Sequence, residues 1–227
     1  MSKIPQNLQT IGAEIAQYSE RYQRPANSVR LLAVSKRHSA EAIREAYDCG
    51  QRAFGENYAQ EMVEKAQALS SLEIEWHFIG PLQSNKTKDV AATAHWVHAI
   101  DRLKIARRLS EQRPAGLPAL NVCLQVNVND EASKSGVSVA ELPALAAQVS
   151  ELPGITLRGL MAIPEATHDP ARQRANFAIL AKAQADLNAA GYHLDTLSMG
   201  MSDDMEAAIA EGATIVRIGT AIFGARN

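Results

Sequence analysis

Aromatic residues are scarce in this chain. Four Phe, five Tyr and two Trp make up 5% of 227 residues. Any core must therefore be aliphatic, and a hydrophobic fraction of 46% provides enough material for a sizeable one. Cysteine is rarer still, with only Cys49 and Cys123. That excludes a disulfide framework and fits a reducing compartment. Each falls in a helix or strand pattern and is expected to be a small buried hydrophobe. No block of basic residues occurs, and 23 Lys and Arg against 25 Asp and Glu leave a net charge of −2. Nucleic acid and anionic membrane are thus not expected partners. No apolar run approaches membrane-spanning length, and MSKIPQNLQTIG lacks the apolar core of a signal peptide. The histidines show no metal-ligand spacing. The expectation is a cytoplasmic protein without a metal, folded as one domain over residues 1–227, and a monomer or weak dimer.

What is present is alternation. Ile4, Leu8, Ile11 and Ile15 mark one face of a helix over 4–22. The apolar run VRLLAVSK from Val29 to Lys36 follows. Helix-like stretches then cover 39–49 (stopped by Gly50), 58–69, 85–94, 102–112, 140–151, 170–190 and 202–210. Strand-like stretches separate them at 52–55, 75–79, 96–100, 120–126, 155–162, 196–198 and 214–218. About eight strands, each separated from the next by a helix, predict a parallel sheet with right-handed crossovers. In a chain of this size that means an α/β protein with a closed (β/α)8 TIM-type barrel and an extra N-terminal helix. An open doubly wound sheet is the alternative.

In such a barrel chemistry sits where strands end. Lys36 closes the first strand. An amine beside apolar walls loses solvation, its pKa falls, and it can attack an aldehyde or ketone; a lysine snorkelling at a strand end is the plainer reading. At the other end of the chain, SMGMSDDMEAAI runs from a short strand into a helix. Gly200 permits close approach of a ligand to backbone. Ser202 is read as the helix N-cap, so that the free N–H groups form an anion cradle. Asp203 and Asp204 are expected to face solvent or a partner group. In IVRIGTAIFG, Arg217 lies inside an apolar strand and needs an acceptor, either a ligand or a core carboxylate. Gly219 and Thr220 offer a second anion nest, at the place where barrels of this type bind phosphate. Asn57 caps a helix or donates to a ligand. His77 alternates against Trp76 and Phe78, so it should be a satisfied core or rim histidine. A Schiff-base lysine, a phosphate site and a buried arginine together suit one ligand, pyridoxal 5′-phosphate (PLP).

LLAVSK, FGENY, WHFIGPLQSNK, the KSG of residues 134–136, GLMAI, SMGMSDDMEAAI and VRIGTAIFG closely resemble the pyridoxal phosphate homeostasis proteins (the YggS/PROSC type) along essentially the whole chain. The resemblance implies a barrel like the N-terminal domain of alanine racemase, PLP fold type III without the second β domain. It implies a covalent aldimine on Lys36 and phosphate contacts from Ser198, Gly200, Ser202, Gly219 and Thr220, with Arg217 facing the pyridine nitrogen. It also implies a non-catalytic protein that carries and buffers PLP and supports vitamin B6 and amino-acid homeostasis, with PLP-dependent apoenzymes as recipients. The residues agree. A permanent guanidinium beside the ring nitrogen disfavours the pyridinium on which most PLP chemistry relies, and racemisation needs a second acid/base that the racemases take from another domain. Two other classes stay open at this point: a small PLP enzyme such as an amino-acid racemase, and a cofactor-free Schiff-base aldolase. Lys134, in the loop 129–136, is either a transient trap for the aldehyde during handover or an ordinary solvated lysine.

Overall fold

The computed structural model describes residues 2–129, 131 and 134–225. Eight parallel strands close into a ring in sequence order: β1 (Arg30–Val34), β2 (Ala53–Glu56), β3 (Glu75–Phe78), β4 (Trp96–Ile100), β5 (Leu120–Gln125), β6 (Ile155–Met161), β7 (Thr196–Ser198) and β8 (Ile215–Ile218). The decisive pairing is β1 with β8, which matches Leu32 to Arg217 and Ala33 to Ile218. An open sheet would leave those two edges apart, so the doubly wound alternative falls.

Helices α1 (Ile4–Arg21), α2 (Ala40–Asp48), α3 (Ala59–Ala68), α4 (Thr87–Thr93), α5 (Leu103–Gln112), α6 (Leu142–Ser150), α7 (Pro170–Ala189), α8 (Met205–Ala210) and α9 (Thr220–Phe223) surround the ring. Their apolar faces meet the outward side chains of the strands. Phe54, Phe78, Val97, Val122, Leu124, Leu160, Val216 and Ile218 join Ile43, Met62, Ile105, Leu109, Leu142 and Leu180 in one large aliphatic core. Ile4, Ile11 and Ile15 dock α1 onto the same core, where it packs against α2, α8 and α9. Each fully buried aliphatic side chain of this kind is worth about 1.5–3 kcal/mol of transfer free energy.

The inward positions are different. Leu32, Ala53 and Ile215 form one small apolar group, and Trp96, Ala99, Cys123 and Met161 another. Between them lie His77, His98, Gln125, Ser198 and Arg217, all buried. The barrel interior is thus substantially polar, and every one of those groups must find a partner.

Three local expectations are corrected. Cys49 is exposed, because it caps the end of α2 and is not part of its inner face; Cys123 is buried. Helix α8 starts at Met205 with Asp204 as N-cap, so Ser202 caps nothing and sits exposed in the preceding turn. The reason is Asp204 itself, whose Oδ1 accepts from Met201 N–H at 2.6 Å and closes that turn. Asn57 is not a cap either; α3 begins after Tyr58, with no side-chain cap. The short α9 was not legible as a helix.

Candidate functional site

The strands position the expected residues at one end of the barrel. On β1 the alternation that turns Leu32 inward continues through Val34 to Lys36, which is half-buried in the turn after the strand. Parallel register pairs Val34 with Gly55 and Ala33 with Ile218. Gly219 packs against Val34 at the end of β1, and Lys36 and Asn57 each follow the ends of the paired strands β1 and β2. Arg217 N–H donates to Gly200 O at 2.9 Å, which locks the loop after β7 onto β8. Lys36, Asn57, Gly200, Arg217, Gly219 and Thr220 therefore converge on the C-terminal mouth, with Ser202 on its exposed rim.

The turn that carries Lys36 is clamped from below. Lys65 Nζ donates to Ser35 O, to Glu56 Oε1 and to Glu61 Oε1, each at 2.7 Å. Ser35 Oγ donates to Glu56 at 2.6 Å, and Arg37 N–H donates to Glu61. Glu56 is fully buried, and its Oε2 has no partner among the described residues. Burial pushes its carboxyl up to about 7 against the opposing pull of Lys65 and Ser35. In the sequence Glu61 and Lys65 are only an i,i+4 pair, and no spacing relates Lys65 to β2 or to the turn that carries Lys36.

Arg217 is buried and has no carboxylate partner among the described residues, so the core ion pair considered for it does not exist. Nη1 donates to Ser198 Oγ at 2.8 Å and Nη2 to Ala162 O at 2.9 Å. Burial lowers its pKa to about 10, so it remains a cation at neutral pH. Ser198 is fully buried, and its hydroxyl is taken up by Arg217 and by His98 Nδ1 at 2.7 Å. Asn57 Oδ1 is buried without a partner among the described residues. At Gly200 φ is +95°, and an added Cβ would stand 2.6 Å from Ala208 Cβ; the loop there is as close to α8 as a backbone can come. Asp203 is exposed, as expected, while Asp204 is spent on its own turn.

A cavity of about 230 Å³ opens at this mouth, lined by Asn57, Ile79, Gln125, Lys134 and Ile163. Lys134 is neither free nor fully solvated: it is 3.0 Å from Glu131. The rest of its loop falls partly outside the described residues. A larger opening of about 760 Å³ lies at the opposite, N-terminal end around Arg30, Glu75, His95 and Arg158. Its charges are already matched, Arg30 to Glu75 at 2.9 Å and Arg158 to Asp195 at 2.6 Å. Asn57 Oδ1 and the spare donors of Arg217 lie at the C-terminal mouth, and there a ligand has something to satisfy.

These groups fit PLP. The mouth offers an amine, an unpartnered amide oxygen, an uncompensated guanidinium and two glycine-bearing turns. Comparisons with known proteins agree with this arrangement. The family model described as alanine racemase, N-terminal domain, matches residues 6–227. A pyridoxal phosphate homeostasis protein of Pseudomonas aeruginosa is 59% identical over 227 residues, covering 100% of this chain and 97% of that one. The protein of the same name in Escherichia coli is 55% identical over 230 residues, with 100% and 98% covered. These names denote homeostasis and not a reaction. PipY of Synechococcus elongatus, solved with PLP bound, superposes with a TM-score of 0.81 at 41% identity, over 92% of this chain and all of that one. Alanine racemase of Corynebacterium glutamicum superposes at 0.71 with 16% identity, over 93% of this chain and 61% of that one, and shares the fold alone. The chain thus belongs to the pyridoxal phosphate homeostasis protein family, built on the barrel of the alanine racemase N-terminal domain.

Proposed function

We propose that this protein binds PLP at the C-terminal mouth of its barrel, and that it carries and buffers the cofactor without converting a substrate. In this reading residues 1–227 form one PLP-binding domain, working in the cytoplasm in support of vitamin B6 and amino-acid homeostasis. The observation that carries it is Arg217, a buried cation with no carboxylate in ion-pair contact among the described residues, Asp204 acting on it only from a distance, and set level with Gly200. A permanent donor in that place calls for an acceptor from outside the chain.

PLP brings a carbonyl carbon open to amine attack, a ring nitrogen that accepts a hydrogen bond, and a phosphate. Lys36 presents the amine, held by the clamp that fixes its turn. Asn57 turns its unpartnered amide toward the mouth as a polar contact for the ring substituents. Arg217, with two of its five donors committed to Ser198 and Ala162, keeps the others for the ring nitrogen. Gly200, Ser202, Gly219 and Thr220 surround the phosphate, using the free N–H groups that begin α9 and the exposed hydroxyls. Ser198 stands with them at the end of β7, and its hydroxyl, engaged by Arg217 and His98, also holds the arginine. A guanidinium next to the ring nitrogen holds that nitrogen unprotonated and blunts the electron sink, which argues against an amino-acid racemase. Lys134, which lines the 230 Å³ cavity together with Asn57, takes part in passing PLP to apoenzymes.

Borohydride reduction of the loaded protein followed by peptide mass mapping should place a pyridoxyl group on Lys36; an unmodified Lys36 ends this reading. Solvent deuterium entering the Cα of an amino acid, and absent with Lys36→Ala, would replace it with an enzymatic one. Unchanged PLP transfer to an apoenzyme in Lys134→Ala would remove the role of that lysine.

A further inference from the structure

Arg217 poses a problem that its two direct contacts do not solve. A serine hydroxyl is a neutral partner that rotates freely and can donate as easily as accept. Something must make Ser198 an acceptor toward the guanidinium at all times. The barrel interior supplies it. Ser198 Oγ is 2.7 Å from His98 Nδ1, His98 Nε2 is 2.9 Å from His77 Nδ1, and His77 Nε2 is 3.0 Å from Glu75 Oε1. These residues sit on β7, β4 and β3, so the chain crosses the inside of the ring. Glu75 opens β3 at the N-terminal end and lines the wide opening there.

The direction of every bond in this chain is forced. An ionised carboxylate only accepts, so His77 Nε2–H donates to Glu75. Glu75 is ionised: burial would push its carboxyl up, but His77 and Arg30 outweigh this and carry it to about 2. Burial lowers the pKa of both histidines, His98 the more strongly, so both rings are neutral. A neutral His77 that donates from Nε2 must accept at Nδ1, and His98 Nε2–H must supply that bond. His98 Nδ1 then accepts, and Ser198 O–H must donate to it. Only the lone pairs of Ser198 Oγ are left to face Arg217. The charged and titratable groups around the chain support one arrangement. Arg30 donates to Glu75 Oε2 at 2.9 Å and His95 lies near His77. Trp96 stacks on His77 with ring centroids 5.6 Å apart and planes within 3°. Asp204 and Cys123 are the other titratable groups that act on Arg217.

We propose that Ser198, His98, His77 and Glu75 act as positioning residues for Arg217, in a one-way file of hydrogen bonds that ties the guanidinium at the C-terminal mouth to a carboxylate at the opposite end of the barrel. Chains of this kind polarise along their length, so the far carboxylate adds negative character to Ser198 Oγ and serves as a remote counter-ion. The consequence for PLP rests on the placement of its ring nitrogen beside Arg217 given above.

The test separates the two claims. In cofactor-free protein with 15N-labelled histidine, long-range NMR correlations should show His77 and His98 as neutral rings protonated at Nε2 at pH 7 to 8. A proton on Nδ1 of either ring, or protonation of either ring within that range, overturns the file whatever happens to PLP. In the second arm, Glu75→Leu removes the terminal acceptor and should weaken PLP retention by ~10-fold, the size of one hydrogen bond to a charged group. Glu75→Gln keeps an acceptor oxygen without the charge and should recover part of the loss. Asp195→Ala, on the same face but outside the file, should leave retention unchanged. Equal retention by Glu75→Leu, Glu75→Gln and the wild type overturns the remote role. A wild type that binds no PLP, with its tautomers as stated, would sink the proposed function and leave the file standing.

Discussion

Lys65 shows how one side chain can do more than its sequence neighbourhood suggests. Its spacing from Glu61 reads as an exposed helical pair, worth a few tenths of a kcal/mol. In the fold it is 6% exposed and bonds two carboxylates and the carbonyl of Ser35. Lys65→Met should therefore cost about 3 kcal/mol by urea unfolding, because it strands the fully buried Glu56; Lys65→Met combined with Glu56→Leu should recover much of that. Glu56 also gives the molecule a pH signature. Its folded pKa of about 7 lies above the ordinary value of 4.5, so between those values the folded state keeps a proton that the unfolded chain has released. Its contribution to stability therefore declines as pH rises from 4.5 to 7 and is flat above. His77 and His98, lowered by burial, push the other way over part of this range. The difference in melting temperature between wild type and Glu56→Gln isolates the carboxyl, and should shift in favour of Glu56→Gln as pH rises through this window. A constant difference from pH 4.5 to 8 would refute the assignment.

At the level of strands, helices and turns, most of the architecture was legible and most of the cap chemistry was not. Alternation of apolar runs reports burial, which is why all eight strands and the helices from α1 to α8 could be placed. A cap depends on which of several adjacent polar residues wins the turn. In SMGMSDD the serine and both aspartates qualify, and Asp204 prevails because its carboxylate reaches Met201 N–H. Asn57 looked like a cap by the same logic, yet its oxygen is kept unpartnered at the mouth. The positions of Lys36, Gly200 and Arg217 were readable because strand ends are readable. The histidine file was not, since partners on β3, β4 and β7 share no sequence spacing. The turn after β7 is the element with the least room. Gly200→Ala must adopt φ near +95° and crowd Ala208, so it should lose about 2 kcal/mol by strain and overpacking and should bind PLP more weakly. Denaturation and cofactor titration of the variant check both, and normal values for both would mean the loop has slack.

The molecule as a whole divides its labour between two ends. At the N-terminal end of the barrel Arg30 pairs with Glu75 and Arg158 with Asp195, while at the C-terminal end Arg217 has only neutral hydrogen-bond partners among the described residues. Helix α1 bridges these roles: it is outside the β/α repeat, yet it packs on α8 and α9, the helices that follow the two glycine-bearing turns. Asn7 donates to Ile222 O at 2.8 Å, and Tyr22 O–H, just past the end of α1, to Glu206 on α8 at 3.0 Å. Removal of residues 1–22 should lower the melting temperature and also speed PLP loss, because both turns lose their backing; a shortened protein that melts earlier but releases PLP at the wild-type rate would assign α1 to stability alone. Among the described residues no helix is long and apolar enough to cross a membrane. The two thiols give the intact molecule a practical asymmetry. Burial pushes Cys123 up to about 12, so it stays protonated and shielded, while Cys49 stands in the open at the end of α2, on the side of the barrel away from the mouth. A maleimide dye added near neutral pH will therefore mark one known position, remote from the proposed PLP site at the mouth. Energy transfer from that dye to a labelled apoenzyme would then report whether delivery passes through a physical complex or through free solution.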